Sequence, residues 1–294
     1  MRPHLQIKEY HRPRDLARAV EILSRHGRKA RVIAGGTDLL PVRPGVKQVN
    51  TIDHLVDISS LDLDYIKIDD DCIHIGAATP INHIGAFPLF LSDPYRALSE
   101  AADSHSTPTI RNRATVGGNL CNSSPCADLA LPLLVLNAVL MSAGAGGQRE
   151  IPIARFFKGA NYMALEAGEI LQEIRIPNYS KTTASAFIKL RRQQTAIDMA
   201  VVNVAALLTI ERGRCQDARI ALGAVAPVPL RTEKAEALLA GAELNRELLQ
   251  KAAGAAVKEV RPITDVRATA AYRRNMIPVL VRRSLETCLQ RCDG

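Results

Sequence analysis

Apolar residues along the chain recur first at helical and then at strand spacing, and the order of these stretches sets the expected architecture. Between Arg14 and His26, Leu16, Ala19, Val20 and Leu23 fall at i, i+3, i+4 and i+7, which predicts an amphipathic helix closed by Gly27. RVIAGGTDLLP then reads as a short strand, Arg31 to Ala34, running into a Gly35-Gly36 turn. Ile66, Ile68, Ile73 and Ile75 stand at strand period on either side of Asp69-Asp70-Asp71, the pattern of a hairpin. Pro94 to His105 is again helical, and the apolar segment Leu129 to Met141 predicts a buried helix.

From Glu150 onward, REIPIARFF and GEILQEIRIP predict short strand and turn elements. PNYSKTT, from Pro177 to Thr183, gathers polar residues and proline and is the candidate domain boundary. Beyond it, ASAFIKL, AVVNVAALLTIE and ARIALGAVAP read as an antiparallel sheet, with the breaker Gly213 between the second and third runs. Helices are expected over Thr232–Ala242, Asn245–Val260 and Ala268–Leu289. Strands followed by helices, without strict alternation, argue for an α+β fold and against a doubly wound parallel sheet. No internal repeat interrupts this order.

At 294 residues the chain has room for two domains of roughly 100–200 residues. The N-terminal MRPHLQIKEYHRPRD has no apolar signal core, and no apolar run approaches the ~18–20 residues of a membrane span, so a cytoplasmic location without membrane insertion is expected. The six cysteines are scattered through a chain larger than disulfide-stapled domains, which favours free thiols. A formal charge of +8 raises nucleic acid as a partner. Against it, Lys and Arg are dispersed and there is no Trp to stack bases, so a basic surface for an acidic subunit or an anionic nucleotide fits better.

Two glycine pairs carry the candidate chemistry. Gly35-Gly36 and Gly117-Gly118 each follow a strand-like segment and lead into small polar residues, Thr37 and Asp38 in one case and Asn119, Asn122, Ser123 and Ser124 in the other. Glycine allows positive φ and carries no Cβ, so successive backbone N–H groups can converge on an anion. A plain tight turn is the alternative for each pair taken alone. Neither pair matches GxGxxG or GxxxxGK[ST], so neither a Rossmann site nor a P-loop is supported.

Ser124-Pro125 offers a helix N-cap followed by proline at the first helical position, with Asp128 in the first turn. There Asp128 either complements the helix dipole or accepts from a ribose hydroxyl. Cys121 and Cys126 lack the second ligand pair that zinc or an iron–sulfur cluster needs, and they read as small fillers where the backbone runs close to a ligand or helix. No metal ligand is nominated.

Five blocks, AGGTDLLP, TIRNRATVGGNLCNSSPCADLALPLLVL, GEILQEIRIP, AIDMAVVNVAA and RPITDVRATAAYRRNM, occur in an order that resembles the FAD-binding (medium) subunit of the molybdenum hydroxylases. That family includes xanthine dehydrogenase, carbon monoxide dehydrogenase and 4-hydroxybenzoyl-CoA reductase types. The resemblance implies a two-subdomain FAD-binding domain of the vanillyl-alcohol-oxidase (PCMH) type over residues 1–177, with subdomains of about 1–56 and 57–177. A C-terminal α+β domain over 184–294 is implied to follow.

It also implies a cofactor-binding set. The first loop, Val32, Ile33, Ala34, Gly35, Gly36, Thr37, Asp38 and Leu39, would hold the pyrophosphate. The second, Thr115, Val116, Gly117, Gly118 and Asn119, would approach the same nucleotide from the other subdomain. Asp128 matches the family's acidic flavin contact, and Leu171, Lys189 and His105 fall where members place further contacts. Molybdopterin and 2Fe-2S clusters would sit on separate large and small ferredoxin-like partner subunits, with electrons passing through FAD to NAD+ or another acceptor.

The reductase branch carries a cysteine-bearing insertion that this sequence lacks, which favours a xanthine dehydrogenase-like complex. The flavin would supply the chemistry, so no catalytic protein residue is nominated. Lys189 or Arg191 could stabilise a reduced anionic flavin, or could form an exposed basic edge. The rival functions are a medium subunit of an aromatic acyl-CoA or carbon monoxide dehydrogenase-type complex, a stand-alone FAD-dependent oxidoreductase, and a nucleotide-binding module without turnover.

Overall fold

The structure of the protein, a computed structural model, describes residues 5–41, 51–193 and 199–292. A small parallel sheet comes first, formed by β1 (Gln6–His11), β2 (Ala30–Ile33) and β3 (Thr51–Asp57) in the order β1-β3-β2. α1 (Leu16–His26) packs on it. The Asp15 carboxylate caps this helix by accepting from the Arg18 amide, and Gly27 ends it at a φ of 52°. Ala19, Val20 and Leu23 bury against Val56 and Ile58, as their spacing requires. No strand is predicted over Gln6–His11, and the reason is visible: β1 is an edge strand whose side chains are largely exposed, so backbone pairing holds it rather than a buried face.

The second sheet is antiparallel, in the order β4-β5-β10-β6-β7, from β4 (Ile66–Ile68), β5 (Cys72–Gly76), β6 (Val139–Gly144), β7 (Gly147–Pro152) and β10 (Ile170–Pro177). The hairpin expected around the three aspartates is β4–β5, and Ile73 and Ile75 are buried opposite Ile176 and Ile174. Five short helices, α2 (Ile81–Ala86), α3 (Arg96–Ser104), α4 (Pro108–Arg111), α5 (Val116–Cys121) and α6 (Ala130–Val135), fill the long connection from β5 to β6. A two-stranded ribbon, β8 (Phe157–Gly159) with β9 (Tyr162–Met163), lies between β7 and β10.

Three expectations in this connection are corrected. The buried helix expected over Leu129–Met141 stops at Val135, Asn137 takes a φ of 47°, and the chain continues as β6. A run buried on every side carries no period to separate helix from strand, and asparagine tolerates the left-handed turn. Ser124-Pro125 does not start a helix: α6 begins at Ala130 without a side-chain cap, which leaves Asp128 ahead of it. Gly117 and Gly118 lie inside α5, where Thr115 is the N-cap, and do not form a turn after a strand.

The third sheet, β11 (Thr183–Leu190), β12 (Val202–Glu211), β13 (Arg214–Gly223) and β14 (Leu230–Arg231), is antiparallel in chain order. α7 (Glu233–Ala237), α8 (Arg246–Ala256) and α9 (Ala270–Cys292) follow it, α7 being shorter than the helix expected over Thr232–Ala242. Along β12, Val204, Ala206 and Leu208 join the core beneath these helices, whereas Ala205 and Leu207 join the core of the preceding sheet and helices. Both faces of this sheet are therefore buried, which explains why AVVNVAALL shows no polar alternation. Among the described residues, no helix is long and apolar enough to cross a membrane.

Candidate functional site

A cleft of about 1670 Å³ runs between the first sheet and the second, and both glycine loops line it. Their contact is direct. A Cβ placed on Gly35 would lie 1.8 Å from the Arg113 carbonyl oxygen, so only glycine allows the first loop to approach the segment that leads into α5. Asn122 ties the loops from the far side by donating its side-chain amide to Asp38 Oδ2 at 3.2 Å.

The loops differ in what their backbone can offer. After β2, Gly36 turns the chain at a φ of 71°, and among the described residues the amides of Gly35, Gly36 and Thr37 donate to no protein group. In the second loop the amides are engaged. Val116 N donates to Thr79 O, Gly117 N to Ala77 O, Gly118 N to Thr115 Oγ1 and Asn119 N to Thr115 O. Gly117 serves packing, since a Cβ there would stand 2.5 Å from Ala77 O. What the second loop presents is the Asn119 side chain, whose Oδ1 is buried, lacks a protein partner and belongs to the cleft wall. A buried acceptor in that state is costly unless a ligand donates to it.

Every residue of the implied cofactor-binding set lines this cleft except Val116, Asp128 and Lys189, and Arg191 does not line it either. Val116 packs into the core behind α5. Asp128 and Lys189 meet beneath the cleft as an ion pair, Nζ to Oδ2 2.7 Å, with both side chains only 5 % exposed. Asn203 Nδ2 reaches Asp128 Oδ1 at 3.2 Å, and His105 Nδ1 lies 3.2 Å from Asp128 Oδ2. Lys189 also donates to Ser104 O, as does Arg191. Lys189 is thus neither on the cleft wall nor on an exposed basic edge: it neutralises a buried carboxylate that fixes His105, a residue of the wall.

Ala77, Ala114, Asn122, Ser124 and Tyr162 also line the cleft without having been singled out for it. Tyr162 is 66 % exposed on the short β8–β9 ribbon, which offers too few residues for a strand period to show. Its aromatic ring on an open rim was the one signal available. Arg28 and Arg31 stand on the wall beside the first loop and favour an anion there.

Cys121 lies on the wall, and burial pushes its thiol up to about 12, so it stays protonated and is a poor nucleophile or metal ligand. All six cysteines are free. The groups able to hold a metal among the described residues are His11, His26 and His54, and Asp69, Cys72 and His74, so neither includes Cys121 or Cys126.

Comparison with known proteins matches residues 5–179 to the FAD-binding domain in molybdopterin dehydrogenase and residues 185–288 to the CO dehydrogenase flavoprotein C-terminal domain. The chain is 34 % identical over 287 residues to the carbon monoxide dehydrogenase medium chain of Afipia carboxidovorans, covering 97 % of this chain and 98 % of the relative. It is 31 % identical over 295 residues to a putative xanthine dehydrogenase FAD-binding subunit of Escherichia coli, covering 97 % of each. Among solved structures, carbon monoxide dehydrogenase from Hydrogenophaga pseudoflava, in a form lacking the Mo-pyranopterin moiety, superposes with a TM-score of 0.91 at 33 % identity, covering 99 % of both chains.

Proposed function

The chain belongs to the FAD-binding medium-subunit family of the molybdenum hydroxylases, and on that premise we propose that it is the electron-exit subunit of a xanthine dehydrogenase-like complex. The partners in this proposal are a ferredoxin-like small subunit with 2Fe-2S clusters and a large subunit with the molybdenum cofactor. NAD+ or another small acceptor receives the electrons. The division into an FAD-binding domain, 1–177, and a C-terminal domain, 184–294, belongs to the same proposal, as do the individual cofactor contacts.

FAD is the cofactor of the family, and the residues present suit it. The carrying observation is that the loop after β2 and the start of α5 are locked together along one cleft, the first with unengaged amides and the second with an unpartnered buried acceptor. The amides of Gly35, Gly36 and Thr37 would hold the diphosphate, with the Thr37 hydroxyl and the charges of Arg28 and Arg31 beside them. Asn119 Oδ1 would take a donor from the nucleotide. His105, fixed by Asp128, would present its other ring nitrogen to the cleft.

When bound, the flavin supplies the exchange between one-electron and two-electron carriers. The residues of the cleft would position it and set the surrounding charge.

The test uses the purified full chain. Flavin bands near about 370 and 450 nm, lost in Gly35→Val, support the cofactor assignment, and no flavin after reconstitution removes it. Bleaching of the bands by NADH without partners supports NAD+ as acceptor. A second reading, a carbon monoxide dehydrogenase-type complex using another acceptor, is favoured by the 34 % identity to that medium chain. It predicts flavin that is bound but not reduced by NADH.

A further inference from the structure

Away from the cleft, three histidines and a glutamate converge on the first sheet. The parallel register of β1 and β3 sets Glu9 beside His54, and His11 follows Glu9 by two residues, on the same face. α1 crosses that face and ends on His26, whose ring lies over His54 with centroids 3.5 Å apart. Three separate elements thus deliver four potential ligands to one point. None of the four lines the flavin cleft.

Three of the four potential ligand atoms stand at the spacing of a ligand shell. His11 Nε2 is 3.2 Å from His54 Nδ1, and Glu9 Oε2 is 3.3 Å from His54 Nδ1 and 3.6 Å from His11 Nε2. A ring nitrogen of His26 lies within 4.8 Å of the other two imidazoles. Ligands at ~2.0–2.1 Å from a tetrahedral zinc ion are separated from one another by about 3.3 Å, which is the spacing seen between three of these atoms. Hydrogen bonding explains the group less well. A single N···N bond satisfies two ring nitrogens, while the third imidazole adds only a stacked ring.

The second metal-capable group makes the contrast. Asp69 Oδ1 already accepts from the amides of Asp71 and Cys72, and both ring nitrogens of His74 have carboxylate partners, Asp69 and Glu173. That cluster is satisfied by hydrogen bonds within the protein.

We propose that Glu9, His11, His26 and His54 form a site for a divalent transition cation of the zinc type, pinning the edge strand β1 and the end of α1 to the central strand β3. Imidazole with one carboxylate selects such borderline ions over magnesium or calcium. The cation ties a strand that otherwise has little buried surface to the end of α1, and α1 ends one residue before Gly27, where the chain enters the cleft wall. The site is independent of the flavin proposal.

The test strips the full, flavin-loaded chain with a chelator and titrates it with Co2+ and then Zn2+. One cobalt per chain should bind with a tetrahedral visible band to the red of the flavin, without a thiolate charge-transfer band, and zinc should displace it and raise the melting temperature. His26→Gln and His54→Gln should each weaken binding by about tenfold or more, and the exposed Glu9→Gln by less. Should His54→Gln not fold, His11→Gln and Glu9→Gln carry the comparison. No stoichiometric binding overturns the proposal. So does affinity unchanged in all these variants, or a thiolate band that disappears in Cys72→Ser.

Discussion

Lys189 Nζ, on the first strand of the C-terminal sheet, lies 2.7 Å from Asp128 Oδ2, behind the cleft wall, and neither side chain reaches solvent to any extent. Two charges so buried are held by mutual attraction and by the hydrogen bonds around them. Those bonds run to Asn203, His105 and Ser104. The pair joins the part of the chain that carries the cleft to the part that follows it. Lys189→Met should therefore destabilise the protein by about 3–5 kcal/mol, because Asp128 keeps its burial and loses its counter-charge. The double variant Lys189→Met, Asp128→Leu should recover most of that loss. Urea denaturation of the three proteins checks the order, and a double variant less stable than Lys189→Met would refute it.

The glycines of the two loops should not respond alike. A Cβ at Gly35 or Gly117 runs into main-chain carbonyls, Arg113 O at 1.8 Å and Ala77 O at 2.5 Å, which move only with the backbone. At Gly118 the nearest atom is Thr115 Oγ1, 2.9 Å away and able to rotate. Gly35→Ala and Gly117→Ala should cost about 1–3 kcal/mol or more and release flavin, whereas Gly118→Ala should cost about 1 kcal/mol, the value of a displaced cap, and retain it. Absorbance of flavin per chain after gel filtration reads this. Equal retention in all three would show that close loop contact is unnecessary.

That contrast also marks what the sequence could disclose. The amphipathic α1, the Ile73–Ile75 hairpin strand and the three apolar runs of the last sheet were legible because one face or a bounded run is tied to burial. β1 was not, since its pairing is through backbone alone. α6 and β6 ran together because neither has a polar face, and only Asn137 marks the break. In the site, the first glycine loop reads as a cradle and keeps unengaged amides. The second shares its Gly-Gly spelling but spends its amides within the fold, and the difference lies in Thr79, Ala77 and Thr115, distant in sequence or unremarkable in type. The burial of Lys189 could not be read from FIKL, because its partner is 61 residues away.

His105 offers a test of the cleft wall that is separate from the loops. Its Nδ1 is engaged by Asp128, so His105→Asn keeps a polar group near the carboxylate, while His105→Phe leaves one Asp128 contact unmade. Flavin affinity should fall about three- to tenfold in His105→Phe and less in His105→Asn, a loss on the scale of one hydrogen bond. Fluorescence titration of apoprotein with FAD measures it. Unchanged affinity in both would place the cofactor away from this wall.

Acid should weaken the C-terminal part through Asp265. Burial raises its carboxyl, but hydrogen bonds from the Arg267 side chain and from the amides of Arg267 and Ala268 outweigh that and hold it at about 2. Arg273, itself buried, donates at 2.7 Å to Oδ1, the oxygen that also accepts from the two amides, while the Arg267 side chain holds Oδ2. A carboxyl lower in the folded than in the unfolded chain contributes stability that is complete above about pH 4 and lost as pH falls toward 2. The contribution is about 2 kcal/mol at neutral pH. In Asp265→Asn this acid-dependent part should vanish, so that its denaturation midpoint changes less than the parent's between pH 5 and pH 2.5. The variant should also be weaker at pH 7, because Arg273 keeps its bonds to Val201 O and Ala224 O but has no counter-charge. Parallel pH profiles for parent and variant would mean that the two arginines, and not the charge of Asp265, hold this corner together.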